Sequence, residues 1–255
     1  MTKYLFHNRL VEGLIKSRPN RFIMEVEVDG AICRCHCPVT GCIGSIRFED
    51  IPCLLSKGVE GRKTPYTVEA ISLDPLSCRE KKWVGINQVR VNDYIAYFLR
   101  ENAFNRMFPA VETVEREVKL GNSRIDFLVN SHDYLEVKTP LEDLPCAGHP
   151  KYKARSNVPV SPDRLIKHFG DAGDAIQSGF RSLFLLCFMY DAPPFKKAPT
   201  ANPKSQQIAA AVRLAQARGV ENWQTNLAFD ADGVSLREYF KLLQIENTGT
   251  DLQSK

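Results

Sequence analysis

Through FIMEVEVDGAICRCHC, apolar residues alternate with others on both sides of Asp29 and Gly30. Period-two alternation marks half-buried strands, and an Asp-Gly pair between two such runs favours a tight hairpin turn, whose central positions need positive φ. Pro38, Gly41, Pro52 and Gly58 punctuate the next stretch, and IRFEDIPCLL and TPYTVEAISL supply further short strands up to Ser72. Several short strands in so few residues fit a small barrel, OB-like or SH3-like alike. Near Trp83 the pattern changes. VNDYIAYFLRENAFNRM sets Val91, Ile95, Phe98, Leu99 and Met107 near helical spacing, with Asn92 as the expected cap. A strand-rich stretch, TVEREVKLGNSRIDFLVNSHDYLEVKTP, comes next. A helix around His168 to Ser178, a buried strand SLFLLCFMY, a helix SQQIAAAVRLAQARG and a final short α/β segment complete the chain. Strands alternating with helices predict an α/β domain over residues 83–255, behind a barrel domain over residues 1–82.

Composition agrees with two modest domains. The 255 residues are 44% hydrophobic and 25% charged, which excludes a disordered tail protein or a collagen-like fibre. The longest apolar run, Leu183 to Tyr190, has the length of a buried strand and falls far short of the ~18 residues of a membrane helix. The opening MTKYLFHNRLVEG meets charge at once and offers no secretory h-region, so a soluble, cytoplasmic protein without membrane partners is expected. Residues 1–90 carry 14 Lys and Arg against 10 Asp and Glu, which accounts for the whole net charge of +4. A basic N-terminal third suits contact with phosphates.

Cys33, Cys35, Cys37 and Cys42 lie in CRCHCPVTGC. Zinc sites space their ligands as C-x2–4-C around a turn with a second pair elsewhere, a form this segment lacks. Reduced thiols packed as small apolar side chains fit it better. Trp83, Trp223 and the Phe-rich stretch 180–195 read as core. The glycine-rich loops that cradle nucleotide phosphates are absent from the sequence, so a nucleotide cofactor has no support.

The residues that carry chemistry are Asp126 in RIDFLV and Glu136 with Lys138 in LEVKTP. Alternation sends Ile125, Phe127 and Val129 to one side of their strand and Asp126 to the other. It does the same for Leu135 and Val137 against Glu136 and Lys138. Turn residues in NSHD join the two runs, so a hairpin would set Asp126 beside Glu136 and Lys138. Two carboxylates can hold Mg²⁺ through hard oxygen ligands. A cation so held stabilises charge in a phosphodiester transition state, and a nearby lysine can neutralise or orient. The bland alternative is a salt-bridged surface hairpin.

At these residues the chain resembles the sugar fermentation stimulation protein A family, over nearly its whole length. RPNRFIMEVEVDG resembles that family's opening strand. HCPVTG, carried by His36, Cys37, Pro38, Thr40 and Gly41, resembles its His-Cys-Pro-Asn-Thr-Gly motif. EGRKTPYTVE and WVGINQVRVND are similar to its basic loop and its entry to the second domain. EREVKLGNSRIDFLV with YLEVKTP is the most specific match, and Arg164, Lys167 and His168 in DRLIKHF resemble an Arg-x-x-Lys-His segment. Val39 stands where the family has Asn, and Leu165 replaces a Gly. The resemblance implies an α/β (α+β) chain: a small OB-like β-barrel, then a PD-(D/E)xK restriction-endonuclease-like α/β domain. It implies DNA binding and metal-dependent nuclease activity, with Asp126 and Glu136 on Mg²⁺ or Mn²⁺ and Lys138 assisting. Glu117 would be a further ligand or a base.

Basic residues fill in a nucleic-acid surface. Lys151, Lys153, Arg155, Arg164 and Lys167 would form a flap over a phosphate backbone, with His168 either a phosphate contact or a core residue. On the barrel, Arg18, Arg21, Arg34, Arg62 and Lys63 would line a groove, with Phe22 or Tyr66 as stacking faces. The reading is a DNA-binding nuclease. Its rival is a non-catalytic DNA-binding regulator of sugar-utilisation genes that keeps the nuclease fold. DNA against RNA, one strand against two, and monomer against homodimer stay open.

Overall fold

The computed structural model describes residues 2–39, 41–141, 144, 149–150, 162–196 and 202–242. Lys151, Lys153 and Arg155, the centre of the expected flap, lie outside the described residues. Five strands make the barrel: β2 (Val11–Asn20), β3 (Ile23–Val28), β4 (Ala31–His36), β5 (Ile51–Lys57) and β6 (Tyr66–Ser72), preceded by a short β1 (Lys3–Leu5). They run in the order β4-β3-β2-β5-β6, and a parallel pairing of His36 with Thr67 closes β4 onto β6. The expected hairpin joins β3 to β4, with Asp29 and Gly30 at φ 50° and 80°. Residue 29 tolerates this conformation because an Asp side chain can bond locally.

The second sheet holds β8 (Val114–Leu120), β9 (Ser123–Val129), β10 (Asp133–Lys138), β11 (Arg181–Phe188), β12 (Glu221–Phe229) and β13 (Gly233–Lys241). It is mixed: β8-β9-β10 and β12-β13 are antiparallel, whereas β10, β11 and β12 are parallel neighbours. The final α/β segment expected from the sequence is, among the described residues, the β12–β13 strand pair. β1 adds to the edge of β13. Helices α1 (Val91–Arg100), α2 (Pro162–Gln177) and α3 (Pro203–Ala217) complete the fold.

The two sheets are one. A three-residue strand, β7 (Trp83–Gly85), pairs with β6 on one side and through Trp83 with Phe229 of β12 on the other. Gly85 makes this possible, since a Cβ there would lie 2.5 Å from the Phe229 ring and 2.8 Å from Met189. Barrel, β7 and the inner face of the second sheet share one hydrophobic core, including Ile15, Leu54, Ile71, Phe98, Phe127 and Leu185. A smaller cluster of Phe169, Ala172, Phe184, Ala215 and Val220 seats α2 and α3 on the outer face. Alternation along β11 decides the split, with Leu183, Leu185 and Cys187 facing in and Phe184 facing out.

Cys35 and Cys37 are fully buried in the barrel, and burial pushes the Cys35 thiol up to about 12, the chemistry of an inert core side chain. Trp223 is buried, but Phe180 and Phe195 at the ends of their stretch are more than a third exposed. The helix expected to reach Met107 ends at Arg100, because Asn102 turns to φ 52° and breaks the run. No helix among the described residues is long and apolar enough to cross a membrane.

Candidate active site

The β9–β10 hairpin forms as its alternation predicts. Val129, Leu128 and Phe127 pair with Asp133, Tyr134 and Leu135, and there the ladder stops. Beyond it the strands part, and side chains take up the freed backbone groups. Asp126 Oδ2 accepts from the Val137 N–H at 2.7 Å, and the Asp126 N–H donates to Glu136 Oε2 at 3.4 Å. The two carboxylates thus stand side by side where β10 leaves β9.

Each carboxylate has further partners. Asp126 Oδ1 accepts from Asn92 Nδ2 at 2.8 Å. Glu136 is only 4% exposed, and its Oε1 meets both Lys138 Nζ and, at 2.7 Å, His168 Nδ1 from α2. Burial, and then the charge of Glu136, raise the Asp126 carboxyl above its ordinary value. A cleft of about 400 Å³ opens over the group, lined by Gln88, Asn92, Asp126, Glu136, Lys138 and Arg164 among others. Leu165 forms part of its wall.

Other expected residues fall elsewhere. Glu117 lies between Arg116 and Val118, which face Phe127 and Ile125, so it runs alongside Asp126 on the edge strand. It has φ 57° and an exposed side chain, with Arg124 at 3.9 Å. Lys167 donates to the Asn122 carbonyl at 2.7 Å, so its ammonium is held by the β8–β9 turn. His168, 3% exposed, meets Glu136 Oε1 through Nδ1 at 2.7 Å. On the barrel, Arg18 donates to the carbonyls of Arg21, Val39 and Gly41, a clamp on two loops. Arg21 stacks 4.6 Å over the exposed Phe22 ring, while Tyr66 packs against the core. Arg34, Arg62 and Lys63 are exposed.

Asn92 is the main residue the sequence misassigns. It is not the cap of α1: the helix is capped at Arg90 without a side-chain bond, so Asn92 sits in the first turn and reaches Asp126. Gln88 of the preceding 3₁₀ turn, Gln88–Arg90, holds the far wall by donating to the Thr139 carbonyl at 2.6 Å. Among the described residues no group of three or more His, Cys, Asp or Glu is arranged as a metal cage.

Known proteins share this architecture. Residues 17–86 match the SfsA N-terminal OB domain, and residues 90–233 match the sugar fermentation stimulation protein RE domain. A sugar fermentation stimulation protein homolog of Methylorubrum populi is 28% identical over 247 residues, covering 93% of this chain and 94% of its own length. One from Pseudoalteromonas atlantica is 29% identical over 250 residues, with 93% and 99% covered. The solved structure of Pyrococcus furiosus SfsA in complex with Ca²⁺ aligns over 94% of this chain and 98% of that one, with a TM-score of 0.70 at 17% identity. With both halves matched in order and the second match alone spanning more than half its residues, the chain belongs to the sugar fermentation stimulation protein (SfsA) family.

Proposed function

We propose that this protein is a divalent-metal-dependent nuclease that binds and cuts nucleic acid, DNA in the first instance. The observation that carries the reading is the Asp126–Glu136 pair with Lys138 at the floor of an open cleft. Two carboxylates held this close repel each other and would repel a phosphate, unless a cation lies between them. The donor set fits a hard cation: oxygen ligands from two strands, one of them with a carboxyl already pushed up by burial and by its neighbour. That the Pyrococcus furiosus relative was solved with Ca²⁺ supports the same choice. When bound, Mg²⁺ or Mn²⁺ supplies stabilisation of the charge that builds on the phosphodiester oxygens.

The chain's own residues have separable tasks. Asp126 and Glu136 would hold the cation. Asn92 and the Val137 N–H fix the two oxygens of Asp126, and His168 fixes Glu136. Lys138 can exchange its bond to Glu136 for a phosphate oxygen, and Arg164 adds a second positive group on the cleft wall. The basic barrel would hold the strand leading in.

The second reading is a DNA-binding regulator without catalysis. One observation favours it: the carboxylate of Glu136 is already bonded by Lys138 and His168. A cleavage assay separates the two. Wild type and Lys138→Ala are incubated with labelled single-stranded DNA, duplex DNA and RNA, each with EDTA, Mg²⁺ or Mn²⁺. The nuclease reading expects metal-dependent cutting that the variant loses while it still retards the same DNA on a gel. Retardation without cutting under every condition selects the regulator.

A further inference from the structure

A second cleft, of about 450 Å³, lies where the barrel meets the 3₁₀ turn, and no part of the catalytic chemistry above uses it. Its floor is the side chain of Glu69 on β6, 1% exposed. Ser56 Oγ donates to Glu69 Oε1 at 2.6 Å, Asn87 Nδ2 donates to Oε2 at 2.8 Å, and Arg90 stands 3.7 Å from Oε1. Asn87 is thereby oriented, and its Oδ1 has no hydrogen-bond partner among the described residues although the residue is only 5% exposed. A buried acceptor left unpaired is uncommon and calls for a reason. Here the side chain lines an open cleft with its oxygen covered, so a ligand donor would pair with it as the cleft wall gives way.

The surroundings define the ligand. Lys57 and Arg62 are exposed cations on the cleft wall, placed for a phosphate. Val59 and Val89, 77% and 75% exposed, give the rim two apolar faces suited to a flat ring. His36 stands on the wall beside Arg62; burial and then that neighbouring charge pull its imidazole below the ordinary value, so it is neutral at pH 7 and can both give and accept a hydrogen bond. A buried acceptor, an apolar rim and outer cations together match a nucleotide, with its base inward. The base edge must offer an N–H, and in a duplex the Watson–Crick donors are already used by the opposite strand.

The cleft also has a fixed relation to the catalytic one. Gln88 lines the cleft over Asp126, while its neighbours Asn87, Val89 and Arg90 line this one. One short segment forms the wall between them.

We propose that this cleft receives a single unpaired nucleotide of the strand whose neighbouring phosphate lies over Asp126 and Glu136, which makes single-stranded or frayed nucleic acid the substrate class. This rests on the nuclease reading above and goes beyond it. The test is fluorescence anisotropy in EDTA, where cutting plays no part, with one labelled oligodeoxynucleotide presented as a single strand and as a blunt duplex. The variants are Asn87→Leu, Arg62→Ala and Val59→Glu, the last two at exposed positions that leave the Glu69 network alone; thermal unfolding checks that each folds.

The expected result is tighter binding of the single strand by wild type, and a loss of about tenfold for that strand in each folded variant, the worth of one such contact. Asn87→Leu should leave duplex binding as in wild type, Arg62→Ala and Val59→Glu should lose several-fold less on the duplex than on the single strand because backbone charge serves both, and free deoxycytidine monophosphate should compete for the single strand in wild type but not in Arg62→Ala. Equal losses on both substrates, or none on the single strand, overturn the proposal while leaving the nuclease reading intact. Failure of wild type to bind either oligonucleotide overturns the proposal, and the cleavage assay then decides the nuclease reading on its own.

Discussion

Lys138 and His168 meet at the same oxygen of Glu136. One comes from two residues along the same strand and the other from α2, across the outer face of the sheet. The carboxylate is therefore fixed by both covalently near and distant parts of the chain, and its other oxygen is left facing the Asp126 backbone.

Removing the distant support tests its purpose. His168→Ala should weaken Mn²⁺ binding about 10–100-fold, the usual effect of deleting an outer partner of a ligand, and His168→Asn should recover part of it. Isothermal titration with Mn²⁺ reads this directly, without any substrate. An unchanged affinity in His168→Ala would reduce the histidine to packing.

Asp126 is held at a cost in the metal-free protein: burial and Glu136 both disfavour its charge. Asp126→Asn removes that charge, and Asn92 can rotate its amide to keep a hydrogen bond. In EDTA at pH 7 the variant should unfold about 2–4 °C higher than wild type, the shift expected for roughly 1 kcal/mol in a chain of this size. Addition of Mn²⁺ should raise the wild-type Tm and leave the variant's where it was. A parallel rise in both would move the cation away from Asp126.

The pH dependence of stability should carry the mark of Glu221. Burial opposes its charge, yet hydrogen bonds from Arg181, Trp223 and Lys241 outweigh this and hold the carboxyl at about 2. A carboxyl lower in the folded than in the unfolded state stabilises the fold above its ordinary range, and loses that effect as pH falls toward 2. Glu221→Gln should cost roughly 2 kcal/mol at pH 7 and converge with wild type in acid. Urea unfolding at pH 7 and pH 3 would expose a constant difference if the ion pairs were idle.

Arg164 and Lys167 look equivalent in sequence and should not behave alike. Arg164 lines the cleft, while Lys167 is held by the Asn122 carbonyl. Arg164→Ala should reduce DNA affinity at every sequence and lower the slope of log K against log salt by about one. Lys167→Ala should leave both close to wild type. Anisotropy titrations between 50 mM and 200 mM salt, a range over which phosphate contacts are strongly screened, would distinguish them.

The geometry of the candidate site was largely legible because strands obey a period of two. Asp126, Glu136 and Lys138 fall on one side of their strands by counting alone, and Asn130 and Ser131 at φ 53° and 55° supply the turn that aligns them. Contacts between distant segments were not legible. Asn92 reads as a helix cap until the 3₁₀ turn ahead of α1 moves the cap back to Arg90. The positive φ of Glu117 and its approach to Arg124 are likewise set by the folded β8–β9 pair and carry no signal in the sequence. Arg18 and Lys167 read as free cations, but each meets backbone carbonyls brought in by a turn or loop. The barrel was foreseeable as a set of short strands, whereas its closure depends on a single pairing of His36 with Thr67, which no local pattern announces.

The short strand β7 has a mechanical consequence. With Gly85 lodged against Phe229 and Met189, and with hydrogen bonds to both flanking sheets, it acts as a weld and not a hinge. Barrel and mixed sheet should melt in one cooperative transition, and Gly85→Ala should split that transition in two. A polymer lying across both halves would then have to bend to fit a stiff surface, because the surface has no joint with which to close around it.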